Sequence, residues 1–357
     1  MSASAPESKL VNTVLVTGGA GYIGSVLVPK LLAEGFQVVV LDRFFFGREN
    51  LAPHANLRLV QADSRRIDAS LFAGVDAVID LVAISNDPSG ELFQQATREI
   101  NHLGRVRTCE LARAAGVQRY ILPSSCSIYG FQDDLVTETS PTNPLTEYAR
   151  ANERAEAGVL PLATNDFCVT VMRQGTIYGY GARMRFDLAI NGMVYGAWST
   201  KRLPLMRDGT QYRPMLHVQD TTDVMIRLLR TDPRAINGER FNIGGEASNY
   251  QLGPLGETIA RVVSGFLGET VAVEWYGDPD HRSYKVGFDK IERVLGWKPA
   301  WDAERGALDL LARLQAGTLE KTPKTITLGW YQELVKWHAI IRDVGLHGGI
   351  LDIDAGL

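Results

Sequence analysis

Cysteine is scarce in this 357-residue chain: Cys109, Cys126 and Cys168 form an odd, scattered set with no C-x-x-C spacing. They frame no disulfide scaffold and no thiolate metal site, and they suit a reducing cytoplasm. The six histidines are scattered too, and H-E-x-x-H does not occur, so no catalytic metal is expected. No apolar run is long enough to span a bilayer. The polar opening, residues 1–9, lacks the apolar stretch of a signal peptide and reads as a disordered tail. Positive charge is not in excess, since the formal net charge is −4. That argues against an extended nucleic-acid surface, and neither nucleic acid nor membrane is expected as a partner. The rest is ordinary for a globular protein, with 45% hydrophobic and 22% charged residues. The length suffices for a large core divided between two lobes.

The chain is organised around residues 17–24, T-G-G-A-G-Y-I-G. An apolar run at 11–16 before them reads as a buried parallel strand, and 25–34 after them as a helix stopped by Gly35. A strand passing through a glycine-rich turn into a helix is how a doubly wound sheet holds a dinucleotide. Gly18 permits the tight turn, Gly21 lets the backbone approach a pyrophosphate, and Gly24 lets helix and strand pack closely. Tyr22 and Ile23, just before the helix, are expected at the cofactor, and the N–H groups of the helix N-terminus face the phosphates. A second strand, 38–41, ends at Asp42, about twenty residues on, where a carboxylate accepts from ribose hydroxyls. An acid there repels a 2′-phosphate, which favours NAD over NADP. Arg43 beside it is the one group that could partner such a phosphate.

Further strands are expected at 56–61, 75–82, 119–123 and 166–172, with a short helix at 69–72 and a long one at 91–115. This rhythm predicts an α/β fold, a doubly wound parallel Rossmann sheet with helices on both faces. Asp63 and Ser64 end the third strand, and Leu81, Val82 and Ala83 close the fourth; with Asn101 on the long helix, they are expected around the dinucleotide. Asp80 interrupts the fourth strand and needs partners. Beyond Arg173 the rhythm breaks, then helix returns at 220–229 and strand at 240–243. The NAD-binding domain is therefore expected at 10–180 with a return segment at about 214–245, and a smaller, interleaved α/β substrate lobe at 181–357. Phe44, Phe45 and Phe46 read as packing over a loop, with an adenine wall or a protein contact as alternatives. Trp330, Leu334, Trp337, Ile341 and Val344 form an amphipathic helix stripe, read as core packing, with a dimer arm as the alternative.

Four stretches carry the chemistry. They are P-S-S-C-S-I-Y-G at 123–130, P-L-T-E-Y-A-R-A-N at 144–152, R-Q-G-T-I-Y-G at 173–179 and G-T-Q-Y-R-P-M-L-H-V-Q-D at 209–220. Together they resemble the extended short-chain dehydrogenase/reductases that act on nucleotide sugars, the NAD-dependent epimerase/dehydratase family. The resemblance spans about residues 13–299. It implies NAD as cofactor, Tyr148 as the catalytic Tyr that takes a sugar hydroxyl proton, and Ser125 as the hydroxyl that orients the sugar. It also implies that Arg213 and Arg282 hold the substrate pyrophosphate, that Thr176 stands against the substrate, and that Ser85 and Asn86 face the sugar. Arg183 and Arg185 are weaker candidates on a lid. A homodimer built from the 91–115 helix and the Tyr148 helix follows from the same resemblance.

One position departs from the pattern. Four residues after the Tyr, where the family carries a Lys that bonds the nicotinamide ribose and lowers the Tyr pKa, this chain has Asn152. An amide still bonds a ribose hydroxyl but brings no charge, so alcohol oxidation is expected to be slowed and ketone reduction less affected. After the catalytic Thr, 4,6-dehydratases carry an Asp-Glu pair, where this chain has Cys126 and Ser127. Dehydration therefore ranks low, decarboxylation is demoted with it, and Cys126 reads as packing. The expected activity is an NAD-dependent nucleotide-sugar epimerase acting through a transient keto-sugar. The alternative is a dehydrogenase or keto-reductase with net redox change; a non-catalytic NAD-binding scaffold ranks lower.

Overall fold

The computed structural model describes residues 11–278 and 283–345; the tail at 1–9 and Arg282 lie outside the described residues. The chain starts with β1 (Thr13–Thr17), α1 (Gly24–Ala33), β2 (Gln37–Asp42), β3 (Leu57–Gln61) and β4 (Ala77–Asp80). Then come α2 (Asp87–Leu92), α3 (Gln94–Thr97), a π-helical stretch (Arg98–Gly104) and α4 (Arg105–Ala114). Next are β5 (Arg119–Ser125), β6 (Leu135–Val136), α5 (Glu147–Val159), β7 (Cys168–Gln174) and β8 (Thr176–Tyr178). They lead into α6 (Ala189–Thr200), β9 (Arg202–Met206), β10 (Tyr212–His217), α7 (Val218–Arg230), α8 (Pro233–Ile236) and β11 (Glu239–Ile243). The remainder is β12 (Asn249–Gln251), α9 (Leu252–Leu267), β13 (Ala272–Tyr276), β14 (Lys285–Val286), α10 (Asp289–Leu295), α11 (Ala303–Gln315) and α12 (Thr327–Val344).

Seven strands form one parallel sheet in the order β3-β2-β1-β4-β5-β7-β11. The order reverses between β1 and β4, and a ligand crevice opens at such a switch point, outside the carboxyl ends of the strands. Side chains alternate between two buried faces. Val14, Val16, Val40 and Ile79 join the core under α1 and α7, whereas Leu15, Leu41, Val78, Tyr120 and Leu122 join the core under α4 and α5. Asp80 sits at the end of β4, completely buried, and its partners are the hydroxyls of Thr17 and Tyr120. After β8 and β10 pair in a small second sheet, α7 and β11 bring the chain back to the large one. A further core packs α6, α9 and α11 around Leu203 and Leu205 of β9.

Two expectations fail. The long helix expected at 91–115 is broken: Phe93 leaves helical geometry at φ −119°, ψ 51°, and residues 98–104 widen into π turns. Helical periodicity does not register one extra residue per turn. The widening turns Asn101 and Arg105 inward, and both are buried. The C-terminal stripe is not core. In α12, Trp337, Ile341 and Val344 are 54%, 46% and 53% exposed. The helix is instead anchored by its first turns. Trp330 Nε1 donates to the Phe45 carbonyl at 2.6 Å, and the Tyr331 ring meets Phe45, Phe46 and Phe93 at 6.1, 5.5 and 6.3 Å.

His217 makes the fold acid-sensitive. It caps α7, its Nδ1 accepting from Gln219 N at 3.2 Å, and its ring stacks on Trp301 at 4.0 Å. Burial pulls its pKa from 6.5 down to about 3. The unfolded chain binds this proton below pH about 6.5 and the folded one does not, so stability falls as pH drops from about 6.5 toward 3. His217→Asn, which keeps a capping acceptor, should flatten that part of a urea-midpoint-against-pH curve.

Candidate active site

A cleft of about 970 Å³ opens over the carboxyl ends of β1, β2, β4 and β5. Gly18, Gly21, Tyr22, Ile23, Gly24, Asp42, Arg43, Asp63, Ser64, Leu81, Val82 and Ala83, the residues expected around a dinucleotide, line one end of it. The glycines make a cradle that side chains would fill. Gly18 has φ +65°, and a Cβ there would stand 2.9 Å from Val82 N. A Cβ on Gly24 would stand 2.3 Å from the Gly19 carbonyl oxygen, so this glycine lets α1 close on the turn rather than on a strand. Ser25 N, Val26 N and Leu27 N already donate to the Gly21 and Ile23 carbonyls, so what α1 offers an anion at this end is the positive end of its dipole. Asp42 is oriented by two backbone donors, Ala20 N at 3.1 Å and Phe44 N at 2.8 Å. Arg43 is drawn to Asp63 at 3.1 Å and lies over the Phe45 ring at 4.6 Å. These residues fit NAD. A 2′-phosphate beside Asp42 should cost roughly a hundredfold in affinity, about 3 kcal/mol of like-charge repulsion. Titration with NADH and NADPH checks this; equal affinities would mean that Arg43 leaves Asp63 to meet the phosphate.

At the other end of the cleft, β5 runs out at Ser125, whose Oγ accepts from Ser127 N at 3.1 Å and whose hydroxyl favours the ionised form of the Tyr148 phenol. Tyr148 stands in the first turn of α5. That turn is capped by Thr146, which accepts from Ala149 N at 3.2 Å and donates to Asp87 at 2.6 Å. Gly90 of α2 packs so close that a Cβ would lie 3.0 Å from that of Tyr148. Burial raises the phenol's pKa, and the charge of Arg105 is the largest influence opposing it. Cys126 faces away from the cleft: its thiol is buried, donates to the Arg173 carbonyl at 3.3 Å, and is pushed up by burial. Ser127 lines the cleft, and among the described residues its buried Oγ has no partner. The sequence sets Ser127 where dehydratases carry a carboxyl but assigns it no contact; the fold turns it toward the cleft.

Asn152 does not face the ribose as expected. It is 1% exposed, its Oδ1 accepts from Arg105 Nη1 at 2.8 Å, and its Nδ2 donates to the Tyr148 carbonyl at 2.9 Å. Asn101 is likewise buried behind the cleft wall, where its amide brackets Ile84 N and O, each at 2.8 Å. Against Asn152 stands a buried cation that the sequence does not announce, Arg105 of α4. Nothing in the helical pattern announced it; only the π turns bring it there.

Thr176 and Arg213 line the end of the cleft near Ser125 and Tyr148, with the Arg213 guanidinium 5.6 Å from the Tyr284 ring centre. Ser85 and Asn86 are at the wall but already engaged. Ser85 Oγ accepts from Arg185 at 3.1 Å; Asn86 caps α2 through Ser89 N at 2.9 Å and donates to Asp187 at 3.0 Å. Arg185 itself is paired with Asp187 at 2.7 Å. Arg183 lies over Phe46 at 3.6 Å and donates to Thr327 at 3.0 Å, with burial pulling its pKa down to about 9. Tyr331, Leu334 and Trp337 extend α12 along the mouth of the cleft. Among the described residues no cluster of metal ligands occurs, and no helix is long and apolar enough to cross a membrane.

This geometry belongs with a sequence match. Residues 14–244 match the NAD dependent epimerase/dehydratase family. The chain belongs to this family. Among its relatives, the low-salt glycan biosynthesis protein Agl12 of Haloferax volcanii is 29% identical over 304 residues, 82% of this chain and 95% of that one. A putative UDP-glucose 4-epimerase of Methanocaldococcus jannaschii is 26% identical over 302 residues, with the same shares covered. Of solved structures, DesIV, a dTDP-glucose 4,6-dehydratase from Streptomyces venezuelae with NAD and TYD bound, superposes with a TM-score of 0.72. It is 29% identical, and the match covers 91% of this chain and 98% of that one. The protein is therefore an NAD-dependent family member with the fold of nucleotide-sugar-modifying enzymes.

Proposed function

We propose that the protein is an NAD-dependent nucleotide-sugar epimerase working through a transient keto-sugar. The observation that carries this reading is the chemistry facing the substrate end. Ser125 and Tyr148 line the cleft together, the Ser125 hydroxyl favouring the ionised phenol, and the loop after β5 offers only a hydroxyl, Ser127, where elimination needs a carboxyl acid. The carboxylates that line the cleft are engaged elsewhere: Asp42 with backbone, Asp63 with Arg65 and Asp87 with Thr146. Bound NAD supplies a hydride acceptor that takes hydrogen from one sugar carbon and returns it to the opposite face. Ser125 orients the sugar hydroxyl, Tyr148 takes its proton as the carbonyl forms, and Tyr148 gives the proton back when the hydroxyl is restored. Arg213, with Arg282, binds the pyrophosphate, and Thr176 and Ser127 contact the sugar.

The setting proposed is cytoplasmic and dimeric. Leu92 and Leu103, 52% and 54% exposed on α2 and the π stretch, support a contact between copies on the side of α4 and α5; light scattering on the purified protein tests it. A panel of nucleotide sugars read by mass and proton NMR tests the reaction. A new stereoisomer of unchanged mass supports epimerisation. A change of two hydrogens would make it a dehydrogenase or keto-reductase, loss of water a dehydratase, and no change across the panel a scaffold.

A further inference from the structure

Tyr148 has to part with a proton in a site whose burial favours the neutral phenol, and four residues on stands an uncharged amide. The nearest structural answer comes from another helix. Arg105 opens α4 directly after the π turns and is 3% exposed. Its Nε donates to the Val82 carbonyl at 3.1 Å and its Nη1 to Asn152 Oδ1 at 2.8 Å, while Asn152 Nδ2 donates to the Tyr148 carbonyl. Among the described residues no carboxylate pairs directly with this guanidinium. A buried cation held only by neutral acceptors keeps its field for its surroundings.

The groups around it can be named by element. Asp87 at the start of α2 and Arg185 beyond β8 act on Tyr148 through space, and the Ser125 hydroxyl of β5 favours its ionised form. Asp80 of β4 feels Arg105 at a distance and is satisfied by Thr17 and Tyr120; the Tyr120 hydroxyl also donates to the Arg105 carbonyl at 3.0 Å. Asp87 opposes ionisation of Tyr148, Arg185 favours it less than Arg105 does, and Arg185 is neutralised by Asp187.

We infer that Arg105 is the positioning residue that sets a positive charge beside Tyr148 for its proton transfer, with Asn152 as the bracket that holds the guanidinium in place. The two residues work as a unit, Arg105 bringing the charge and Asn152 aiming it without cancelling it. The competing account is that Arg105 only balances Asp80 and stiffens the fold. The inference rests on Tyr148 being the proton acceptor proposed above.

The test reads Tyr148 itself. Fluorotyrosine placed at position 148 of the full chain, loaded with NAD, is titrated by fluorine NMR in the native protein and in three variants. Arg105→Gln removes the charge, and Asn152→Asp leaves it but cancels it with an ion pair. Both should move the Tyr148 titration upward by about one pH unit or more, a tenfold or greater loss of phenolate below that pH. Arg105→Gln with Asn152→Lys moves the charge to α5 and should bring the titration back toward the native value. If Arg105→Gln fails to fold, Asn152→Asp and the double variant carry the same comparison. A Tyr148 titration unmoved in the folded charge-cancelled variant would overturn the inference, as would a double variant that restores stability but not the titration. No substrate enters this measurement. A shifted titration in a protein inactive on the nucleotide-sugar panel would sink the epimerase reading and leave the charge assignment standing; epimerisation with an unmoved titration would do the reverse.

Discussion

Tyr148→Phe should abolish sugar interconversion while leaving the cofactor in place. General acid–base groups contribute about a hundred- to ten-thousandfold to turnover, and the loss here should fall in that range on kcat. The phenol lies in the cleft with Ser125, and both Ser125 and the charge of Arg105 favour its ionised form. Phe fills the same space, so α2 keeps its close packing at Gly90. NAD affinity, read by quenching of protein fluorescence, should change little, because the dinucleotide cradle lies on β1, α1 and β2. Ser125→Ala should lose less, since Tyr148 keeps its proton chemistry without its orienting partner. A Phe variant turning over at a tenth of the native rate or better would remove Tyr148 from the mechanism.

The largest effect on stability should come from Glu156→Gln. Glu156 and Arg173 are 3% and 5% exposed, and the guanidinium reaches the carboxylate at 2.7 and 3.1 Å. Ser124 donates to the same carboxylate at 2.5 Å, and Arg173 also reaches the Tyr129 hydroxyl at 2.9 Å. The pair therefore ties α5 and β7 to the end of β5 and to the turn that carries Ser125. Glutamine keeps the volume but leaves the Arg173 charge buried without its counter-ion, which costs about 3–5 kcal/mol. The urea midpoint should drop accordingly with the slope unchanged. Adding Arg173→Met should recover much of the loss, since two neutral side chains bury no charge. A single variant as stable as the native protein would show that solvent reaches this pair.

What the sequence makes legible is what local pattern encodes. The glycine-rich turn, Asp42 and the alternation of strand and helix depend on neighbours along the chain, and the cradle stands where that pattern puts it. Ser125 and Tyr148 were legible because each sits in a recognisable run, and the fold brings the two runs into contact. Arg105 was not. It lies 47 residues from Asn152, and a helix read at 3.6 residues per turn points it elsewhere; the π stretch that turns it inward has no residue signature beyond Gly104. The α12 stripe misled for the opposite reason. Its periodicity was sound, but periodicity tells which face is apolar and not what that face meets. Here the face borders an open cleft and solvent rather than the core.

The most direct test of the central claim follows the hydrogen on the reacting carbon. With a nucleotide sugar from the panel carrying deuterium there, the epimer should form with the deuterium retained, no reduced nicotinamide should accumulate, and solvent deuterium should not enter that carbon. Exchange of the label with water, or reduced nicotinamide formed in step with product, would contradict an epimerase that removes hydrogen from one face of the sugar and returns it to the other.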